Sequence, residues 1–483
     1  MQTIFWHDYE TFGADPQKDF PCQFAGVRTD LNLNIIEESV TLYSKPNEDY
    51  LPSVQACLIT GITPQEASNK GLSEAAFADK IHALFSKPET CVAGYNSVRF
   101  DDEVSRNLFY RNLHDPYERE WKNGNSRWDL IDVVRLTHAL RPEGINWPIG
   151  DDGKVSFRLE KLTEANGIAH EAAHDAMSDV YATIAVAKLI RDKQPALYNY
   201  AFGMRTKQAV MQFFEENDGQ PFIHVSSKIP VANGCCAMMY PIAPHPSNKN
   251  ALIAFDLRQA PSVLLEHSSS EIRDMLYQKS ILGPDGLPKN IRPALKLIHM
   301  NKCPMVAKAS MIKVIPEERL EQWSFDLNQM REHLKILRNS RDALKHVPLA
   351  FERSDEGSGS TDPDLMIYSG GFFSPNDRNE MSRLRAVDRL DLADIASSFQ
   401  DPRLDEMFFR YKARSFPESL NSDERERWQA HCSERLLSPE SQFRTFDDFA
   451  RELQSAAAGI EPGSPQSELL QELHLYAESI YPY

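Results

Sequence analysis

The chain of 483 residues lacks the features that would mark a membrane or secreted protein. No run of about 18 uninterrupted apolar residues occurs, so no membrane span is expected. The first eight residues carry no basic side chain and already reach an acid at Asp8, so we expect no signal peptide. Hydrophobic residues make up 41% and charged residues 25%, which excludes a disordered or fibrous chain. The length predicts about three domains.

Cysteine is scarce, and its spacing fits neither a disulfide framework nor a zinc ribbon. The count of seven is odd, and no C-x-x-C pair occurs. We therefore expect reduced, mostly buried thiols in a cytoplasmic protein. The doublet Cys235 and Cys236 could form a redox pair, but adjacent cysteines bridge poorly and packing in the core is the simpler interpretation.

Positive charge is also in short supply, since 53 Lys and Arg face 70 Asp and Glu, for a net charge of −17. Taken alone, this balance argues against a nucleic-acid partner. The charge is uneven, however: −10 over residues 1–195, +4 over 196–355 and −11 over 356–483. A cationic middle between acidic flanks predicts that any binding of nucleic acid is confined to one cleft.

Strand-like and helix-like runs alternate in the first 195 residues, which indicates an α/β layer fold. There we predict strands at 3–8, 23–28 and 91–94, and helices at 74–85, 102–111, 130–140 and 175–191. The next segment is β-rich, with strands at 221–225, 251–255 and 295–299 and helical periodicity at 317–345. After a stretch with the composition of a flexible linker, we predict helices at 381–398, 422–437, 445–458 and 467–480.

Asp8 and Glu10 end the first predicted strand. Because strand side chains alternate, the two carboxylates project from the same face while Tyr9 points away. Such a repelling pair usually persists where a divalent cation lies between its members. Two solvated acids at a strand end are the common alternative, so the pattern alone is weak.

Two further clusters contain acids next to helices. Asp101 and Asp102 lie between an apolar strand and a helix, where one of them could simply cap the helix. Asp179 lies inside a predicted helix, and His174 comes just before that helix begins. A lone histidine is more often an ordinary surface or core residue than a catalytic one.

In this order on an α/β segment, the three clusters resemble the DEDDh family of 3′→5′ exonucleases, to which proofreading exonucleases belong. The resemblance places the family's four metal-binding acids and its histidine at Asp8, Glu10, Asp101, Asp179 and His174. Asp101 is preferred to Asp102 because the family's acid directly follows an aromatic residue, here Phe100.

Longer segments narrow the resemblance to the bacterial exonuclease I family. The similar segments are residues 7–13, 126–130, 140–148, 156–160, 299–304 and 371–373. The resemblance covers essentially the whole chain. It implies a ribonuclease H-like exonuclease domain at 1–195, a β-rich SH3-like domain at 196–353, a linker at 354–364 and an α-helical C-terminal domain at 365–483.

The resemblance implies processive 3′→5′ hydrolysis of single-stranded DNA to 5′-mononucleotides, in DNA repair and recombination, by a monomer. Four carboxylates suit two divalent ions about 3.5–4 Å apart. Mg²⁺ is favoured because all four ligands are hard oxygens, and Mn²⁺ should substitute. His174 is expected to be the general base, since an imidazole with a pKa of about 6.5 accepts a proton at neutral pH.

Aromatic residues interleaved with arginines follow the second acidic cluster, as expected of a single-strand groove. The alternative is that the aromatics belong to the core and the arginines pair with local acids. The resemblance implies DNA contacts from the backbone of Trp6 and from Glu10, Arg158, Arg106, Tyr117, Trp121, Arg135 and Lys302. It also implies a partner, the acidic C-terminal tail of the single-stranded-DNA-binding protein, with Arg141 as one contact.

Two other functions remain open from the sequence. An exoribonuclease acting on short RNA could use the same acids, because the DEDDh centre does not itself read the sugar. A non-catalytic single-strand binding module on an old nuclease scaffold is the second alternative, and the intact set of four acids and one histidine argues against it. The basic run 331–345 forms either a phosphate-binding helical face or an ordinary solvated one.

Overall fold

The computed structural model describes residues 1–170, 175–277, 292–352, 359–388 and 391–482. These residues form two compact units. The first unit contains Met1–Ser126, His170–Ile184 and Ser358–Tyr483, and the second contains Arg127–Ala169 and Ala185–Gly357. No helix within the described ranges is both long enough and apolar enough to cross a membrane. His174 lies outside the described residues, and so do residues 354–358 of the predicted linker.

Strands precede residue 309, and the described residues after 359 are helical or irregular. The strands are β1 (Thr3–Thr11), β2 (Pro21–Thr29), β3 (Val40–Tyr43), β4 (Thr90–Gly94), β5 (Ser126–Asp129), β6 (Phe222–Val225), β7 (Cys236–Pro244), β8 (Ala251–Asp256), β9 (Leu295–His299) and β10 (Met305–Lys308). The α-helices are α1 (Val54–Thr60), α2 (Pro64–Lys70), α3 (Glu74–Phe85), α4 (Asp101–Arg111), α5 (Leu130–Leu140), α6 (Leu159–Ala165), α7 (Ala176–Lys193), α8 (Pro195–Gly203), α9 (Lys207–Asn217), α10 (Ser262–Leu265), α11 (Ser269–Tyr277), α12 (Glu317–Gln322), α13 (Leu327–Asn339), α14 (Pro375–Arg385), α15 (Pro402–Ser415), α16 (Ser422–Leu437), α17 (Phe446–Ala457) and α18 (Pro465–Ser479).

The sheet of the first unit has β1 between β2 and β4. β1 pairs antiparallel with β2 and parallel with β4, and β3 continues the sheet beyond β2. Because side chains alternate along a strand, Phe5 and Tyr9 enter the apolar layer formed with α3 and α4. Asp8 and Glu10 project from the opposite face of β1, which is the arrangement that their spacing predicts.

The C-terminal helices of the first unit pack against the segment that follows β1 and β2. Phe449 of α17 and Leu473 of α18 share an apolar cluster with Cys57 of α1. Leu404 of α15 and Tyr110 of α4 belong to a second apolar cluster. The C-terminal segment is therefore part of the same compact unit as the strands that carry Asp8 and Glu10.

A buried network of arginines and carboxylates also joins the C-terminal helices to the loop before α1. Nη2 of Arg414 lies 2.8 Å from Oδ2 of Asp49 and 2.7 Å from Oδ2 of Asp364. Nη1 of Arg410 lies 3.0 Å from Oδ2 of Asp364, and Nε of Arg435 lies 3.5 Å from Oδ2 of Asp49. Each buried acid in this group thus faces at least two guanidinium groups.

The second unit is built on an antiparallel sheet of five strands in the order β10-β6-β7-β8-β9. Each strand contributes at least one buried apolar side chain to a shared core. These side chains include Phe222, Met239, Ala254, Ile298 and Val306. The middle of the chain is therefore β-rich, as its composition predicts.

The predicted strands agree with the observed strands to within three residues at either end, apart from β3, β5, β7 and β10, which were not predicted. The predicted helix at 381–398 is wrong beyond Arg385, where α14 ends. Asp388, Asp391 and Asp394 lie in the part that is not α-helical, and aspartate favours turns over helix interiors. The sequence reading also missed α15, although Asp401 before Pro402 is a common helix start.

Candidate active site

Three of the predicted acids come together in the first unit. Asp8 and Glu10 project from β1, and Asp179 lies in the first turn of α7. One carboxylate oxygen from each lies within 4.8 Å of the other two. Among the described residues this is the one group of three or more acid, histidine or cysteine side chains with a geometry suited to holding a metal ion.

The fourth predicted acid, Asp101, adjoins this cluster, whereas its neighbour Asp102 is engaged elsewhere. Asp101 is the first residue of α4, and its Oδ1 accepts the backbone N–H of Tyr9 at 3.2 Å. Tyr9 lies between the two acids of β1. Oδ1 of Asp102 instead lies 2.7 Å from Nη2 of Arg119, in a pair that is almost completely buried. This arrangement favours Asp101 as the fourth acid.

Burial and neighbouring carboxylates raise the pKa values of two acids in the cluster. Burial, then Asp101 and Glu10, raise the pKa of Asp8 well above its ordinary value. Burial, followed by Asp179 and Asp101, raises the pKa of Glu10 to about 8. Like charges in a buried site oppose ionisation of one another, and a bound divalent cation would relieve that opposition. The donor set, all carboxylate oxygen, fits a hard cation such as Mg²⁺ or Mn²⁺.

His170, which the sequence analysis did not single out, contacts the cluster. Its Nε2 lies 2.6 Å from Oδ1 of Asp179. The histidine that was predicted, His174, lies outside the described residues. The only sequence signal for His170 is that it lies four residues before His174.

A second buried layer lies behind β1, on the face opposite the acids. His7 donates from Nδ1 to the carbonyl oxygen of Ala93 at 3.0 Å. Burial, partly offset by Asp102, lowers the pKa of His7 to about 4, so the ring is neutral at pH 7. The guanidinium of Arg119 packs 4.9 Å from the ring centre of Phe85. His7 and Arg119 thus support the sheet rather than line the acid cluster.

The predicted contacts of the first unit form an aromatic and arginine group next to α4. Arg106 is buried, with Nη1 2.7 Å from Oε1 of Glu103 and Nε 2.8 Å from Oε1 of Glu120. The same guanidinium lies 5.4 Å from the ring centre of Tyr117. Trp121 is 64% exposed. For Arg106, pairing with local acids and closeness to an aromatic ring are therefore both observed.

Two more aromatic residues of the first unit extend this group, and the sequence analysis did not single them out. Phe372 is 87% exposed, and its ring centre lies 5.7 Å from that of Tyr117. Tyr368 is half-exposed and donates its hydroxyl to Glu103. Segment 371–373 carried part of the family resemblance, but no role had been drawn from it.

Trp6 can offer substrate only its backbone. Its side chain is fully buried, and its ring N–H donates to Oγ1 of Thr29 at 3.0 Å. Trp6 also pairs with Val27 of β2 and with Ala93 of β4.

The remaining predicted residues lie in the second unit. Nη1 of Arg135 is 2.6 Å from Oδ1 of Asp132. The side chain of Arg158 is 78% exposed, and Lys302 is exposed in the turn between β9 and β10. Arg141, just after α5, is one of the residues lining a cavity of about 520 Å³.

Comparison with known proteins matches three consecutive parts of the chain. Three family models match in order: an exonuclease model over residues 5–187, the exonuclease I SH3-like domain over 205–353 and the exonuclease I C-terminal domain over 361–480. Exodeoxyribonuclease I of Escherichia coli K12 is 44% identical over 481 residues, which is 99% of this chain and 98% of that protein. The chain belongs to the exodeoxyribonuclease I family.

Solved structures of this family agree with the fold along its length. E. coli exonuclease I in complex with a dA16 oligonucleotide superimposes with a TM-score of 0.93 at 43% identity, over 100% of both chains. A zinc-bound E. coli exonuclease I–single-stranded DNA complex gives 0.91 at 43% identity, over 99% of this chain and 100% of that chain. A complex of SSB and exonuclease I with the inhibitor CFAM gives 0.89 at 43% identity, over 100% of both. These matches confirm the predicted family and fold class: a ribonuclease H-like exonuclease domain, an SH3-like domain and a helical C-terminal domain. The exonuclease domain of this family depends on a metal ion.

Proposed function

We propose that this protein is a processive 3′→5′ exonuclease that hydrolyses single-stranded DNA to 5′-mononucleotides, in DNA repair and recombination. The observation that carries the proposal is the cluster of Asp8, Glu10 and Asp179, with Asp101 beside it, in a chain that matches exodeoxyribonuclease I over nearly its whole length. The intact set of acids argues against a non-catalytic binding module. Activity on RNA is the remaining alternative in the same class.

Asp8, Glu10, Asp101 and Asp179 would hold two divalent cations, Mg²⁺ in the first place, with Mn²⁺ as a substitute. When bound, such ions lower the pKa of a coordinated water and stabilise the charge of an in-line phosphoryl displacement. His174 is the proposed general base that takes the proton from the attacking water.

Each unit contains residues that we propose as DNA contacts. In the first unit, the exposed Trp121 and Phe372 offer faces on which bases can stack, while Tyr117 and Arg106 support them. Trp6 would contact the strand through its backbone, and Glu10 would lie beside the terminal nucleotide. Phosphate contacts are proposed for Arg135, Arg158 and Lys302 of the second unit.

We also propose that the acidic C-terminal tail of the single-stranded-DNA-binding protein binds the second unit at Arg141. Arg141 lines the cavity of about 520 Å³ together with Lys308 and mainly apolar side chains, including Leu140, Met204 and Phe213. Cations beside an apolar hollow suit a peptide that ends in a carboxylate and carries an apolar residue. Arg141→Ala should weaken binding of a fluorescent tail peptide and leave hydrolysis of free oligonucleotides unchanged. Equal affinity in the two proteins would contradict this site.

A cytoplasmic, monomeric enzyme is proposed. All seven cysteines are buried and unbridged, as expected of reduced thiols. Size-exclusion chromatography with light scattering tests the monomer, which has a mass of 55.0 kDa.

The decisive experiment uses 5′-labelled oligonucleotides of one sequence, as single-stranded DNA, duplex DNA and single-stranded RNA, each with Mg²⁺ and with a chelator. We expect a ladder that shortens from the 3′ end on single-stranded DNA only, and no products in the chelator. Faster shortening of RNA would favour the exoribonuclease. An unchanged label on every single strand would refute nuclease function.

A further inference from the structure

His170 contacts an acid of the metal cluster, although no sequence pattern assigns it a role. Its Nε2 lies 2.6 Å from Oδ1 of Asp179, and its imidazole is only 6% exposed. A carboxylate oxygen accepts hydrogen bonds, so Nε2 carries the proton and donates it. One oxygen of Asp179 is thus bound by a protein donor while the same residue belongs to the cluster with Asp8 and Glu10.

The start of α7 fixes the backbone of Asp179. Asp175 caps α7, since the backbone N–H of Ser178 donates to its Oδ2 and that of Asp179 to its carbonyl oxygen, both at 3.0 Å. The side chain of Asp179 still has two rotatable torsions, and ordering them costs entropy when a cation binds. A hydrogen bond from a buried imidazole removes much of that freedom in advance.

A second acid of the cluster is held in a comparable way. Oδ1 of Asp101 accepts the backbone N–H of Tyr9 at 3.2 Å. Asp101 and Asp179 come from different helices, α4 and α7, and each is tied by a donor from outside its own helix. Outer donors of this kind orient metal-binding carboxylates, and their loss typically weakens metal affinity or activity about 10–100-fold.

We propose that His170 is a positioning residue that orients the carboxylate of Asp179 for divalent cations, in a role separate from the general base assigned to His174. The inference rests on the proposed metal-dependent nuclease. It assigns His170 to metal affinity rather than to proton transfer.

The test compares wild type, His170→Ala and His170→Gln. The amide of glutamine places a neutral N–H close to where Nε2 of histidine lies, so it keeps the donor without an imidazole. Mn²⁺ binding without DNA is measured by electron paramagnetic resonance, and hydrolysis is measured across a Mg²⁺ titration. We expect His170→Ala to raise both the Mn²⁺ dissociation constant and the half-saturating Mg²⁺ concentration about 10-fold or more. The kcat at saturating Mg²⁺ should stay close to wild type, and His170→Gln should recover most of the affinity.

His114 provides a matched control in the same unit. Its Nε2 lies 2.8 Å from Oδ1 of Asp79, and its side chain is 3% exposed. His114→Ala removes a similarly buried histidine whose carboxylate partner, Asp79, is 49% exposed and lies outside the acid cluster. It should lower the melting temperature about as much as His170→Ala does, without changing Mn²⁺ affinity.

Three results would overturn the inference. They are unchanged Mn²⁺ affinity in His170→Ala, an equal loss in His114→Ala, and a kcat deficit at saturating Mg²⁺ that His170→Gln does not recover. The last result would make His170 a direct participant in the chemistry. The Mn²⁺ measurement needs no substrate, so it remains informative even if wild type degrades no nucleic acid and the proposed function fails.

Discussion

The first unit holds two groups of buried acids that behave in opposite ways. Around β1, Asp8 and Glu10 face other carboxylates, and burial with this repulsion raises the pKa of both. In the C-terminal network, burial alone would also raise the pKa of Asp49. There, however, the guanidinium groups of Arg414 and Arg435 hold it well below its usual range.

The difference shows how the two groups of acids relate to folding. Acids paired with guanidinium groups contribute to the folded state, and removing one partner leaves a buried charge without compensation. Acids paired only with acids destabilise the folded state. Binding of a cation to them would therefore raise the free energy of unfolding of the protein. The acids of the network join the C-terminal helices to the loop before α1, and those of β1 are the proposed metal ligands.

The largest expected effect is on turnover, from Asp8→Asn. Removing one of the proposed metal-binding carboxylates should lower the rate of single-strand hydrolysis by at least about 10²–10³-fold, as loss of a preorganised electrostatic group does. In metal-free protein the same change removes repulsion, so the melting temperature should rise. Calorimetry with and without Mg²⁺ measures the second effect.

Asp152→Asn is the control for that substitution, because the side chain of Asp152 is 63% exposed. It should change neither turnover nor melting temperature measurably. A lower melting temperature of metal-free Asp8→Asn would show that Asp8 stabilises the fold, and the contrast between the two groups of acids would then fail.

Arg414→Met should have the largest effect on stability. It leaves Asp49 and Asp364 buried with one guanidinium fewer, and breaking such a pair costs about 3–5 kcal/mol of the free energy of unfolding. Urea denaturation measures the loss, and turnover of the protein that remains folded should be unchanged. Arg451→Met, in an exposed pair with Asp448, is expected to cost less than about 1 kcal/mol. Equal losses of unfolding free energy in the two variants would mean that burial does not determine the cost of breaking an ion pair here.

The pH dependence of metal binding gives the third test. Divalent cations bind the ionised carboxylate, and Glu10 in the metal-free protein keeps its proton up to a pKa of about 8. Affinity for Mn²⁺ should therefore rise with pH, by roughly tenfold per pH unit for one proton displaced. The rise should level off near pH 8.

The stability of the metal-free protein should change in the opposite direction. Because the folded pKa of Glu10 is raised from 4.5 to about 8, the folded state binds more protons than the unfolded state across that range. Stability is then greatest below the unfolded pKa and is lost as pH rises through the folded one. Glu10→Gln should flatten both profiles, and profiles identical to wild type would contradict this assignment.

The sequence predicted the shared position of Asp8 and Glu10 better than it predicted the contacts of the arginine–carboxylate network. Asp8 and Glu10 are two residues apart on one strand, so the period of the strand alone places them on one face. Asp49 and Arg414 are 365 residues apart and come together only through the packing of the C-terminal helices. No local pattern encodes such a pair, and the network could not have been predicted from one sequence.

Within the site, too, the contacts of His170 and Asp102 could not be predicted from the sequence. The sequence could not decide between Asp101 and Asp102 without the family resemblance, because both stand at the start of one helix. Arg119, 17 residues further on, takes up Asp102, and this contact depends on how the intervening chain folds back. Likewise, no local sequence pattern links His170 to Asp179, nine residues further on.

The smallest expected effect concerns Trp121, whose exposed ring belongs to neither group of acids. Loss of a stacking platform typically weakens single-strand binding by about 1–3 kcal/mol per base, so Trp121→Ala should raise the dissociation constant of an oligonucleotide in the presence of Ca²⁺. Its free energy of unfolding should not change, since the ring is 64% exposed. Tyr277→Ala, which removes a ring 67% exposed in the second unit, should alter neither quantity. If Trp121→Ala instead lowers stability and leaves binding intact, the residue belongs with the structural groups, and the single strand must follow another path across the first unit.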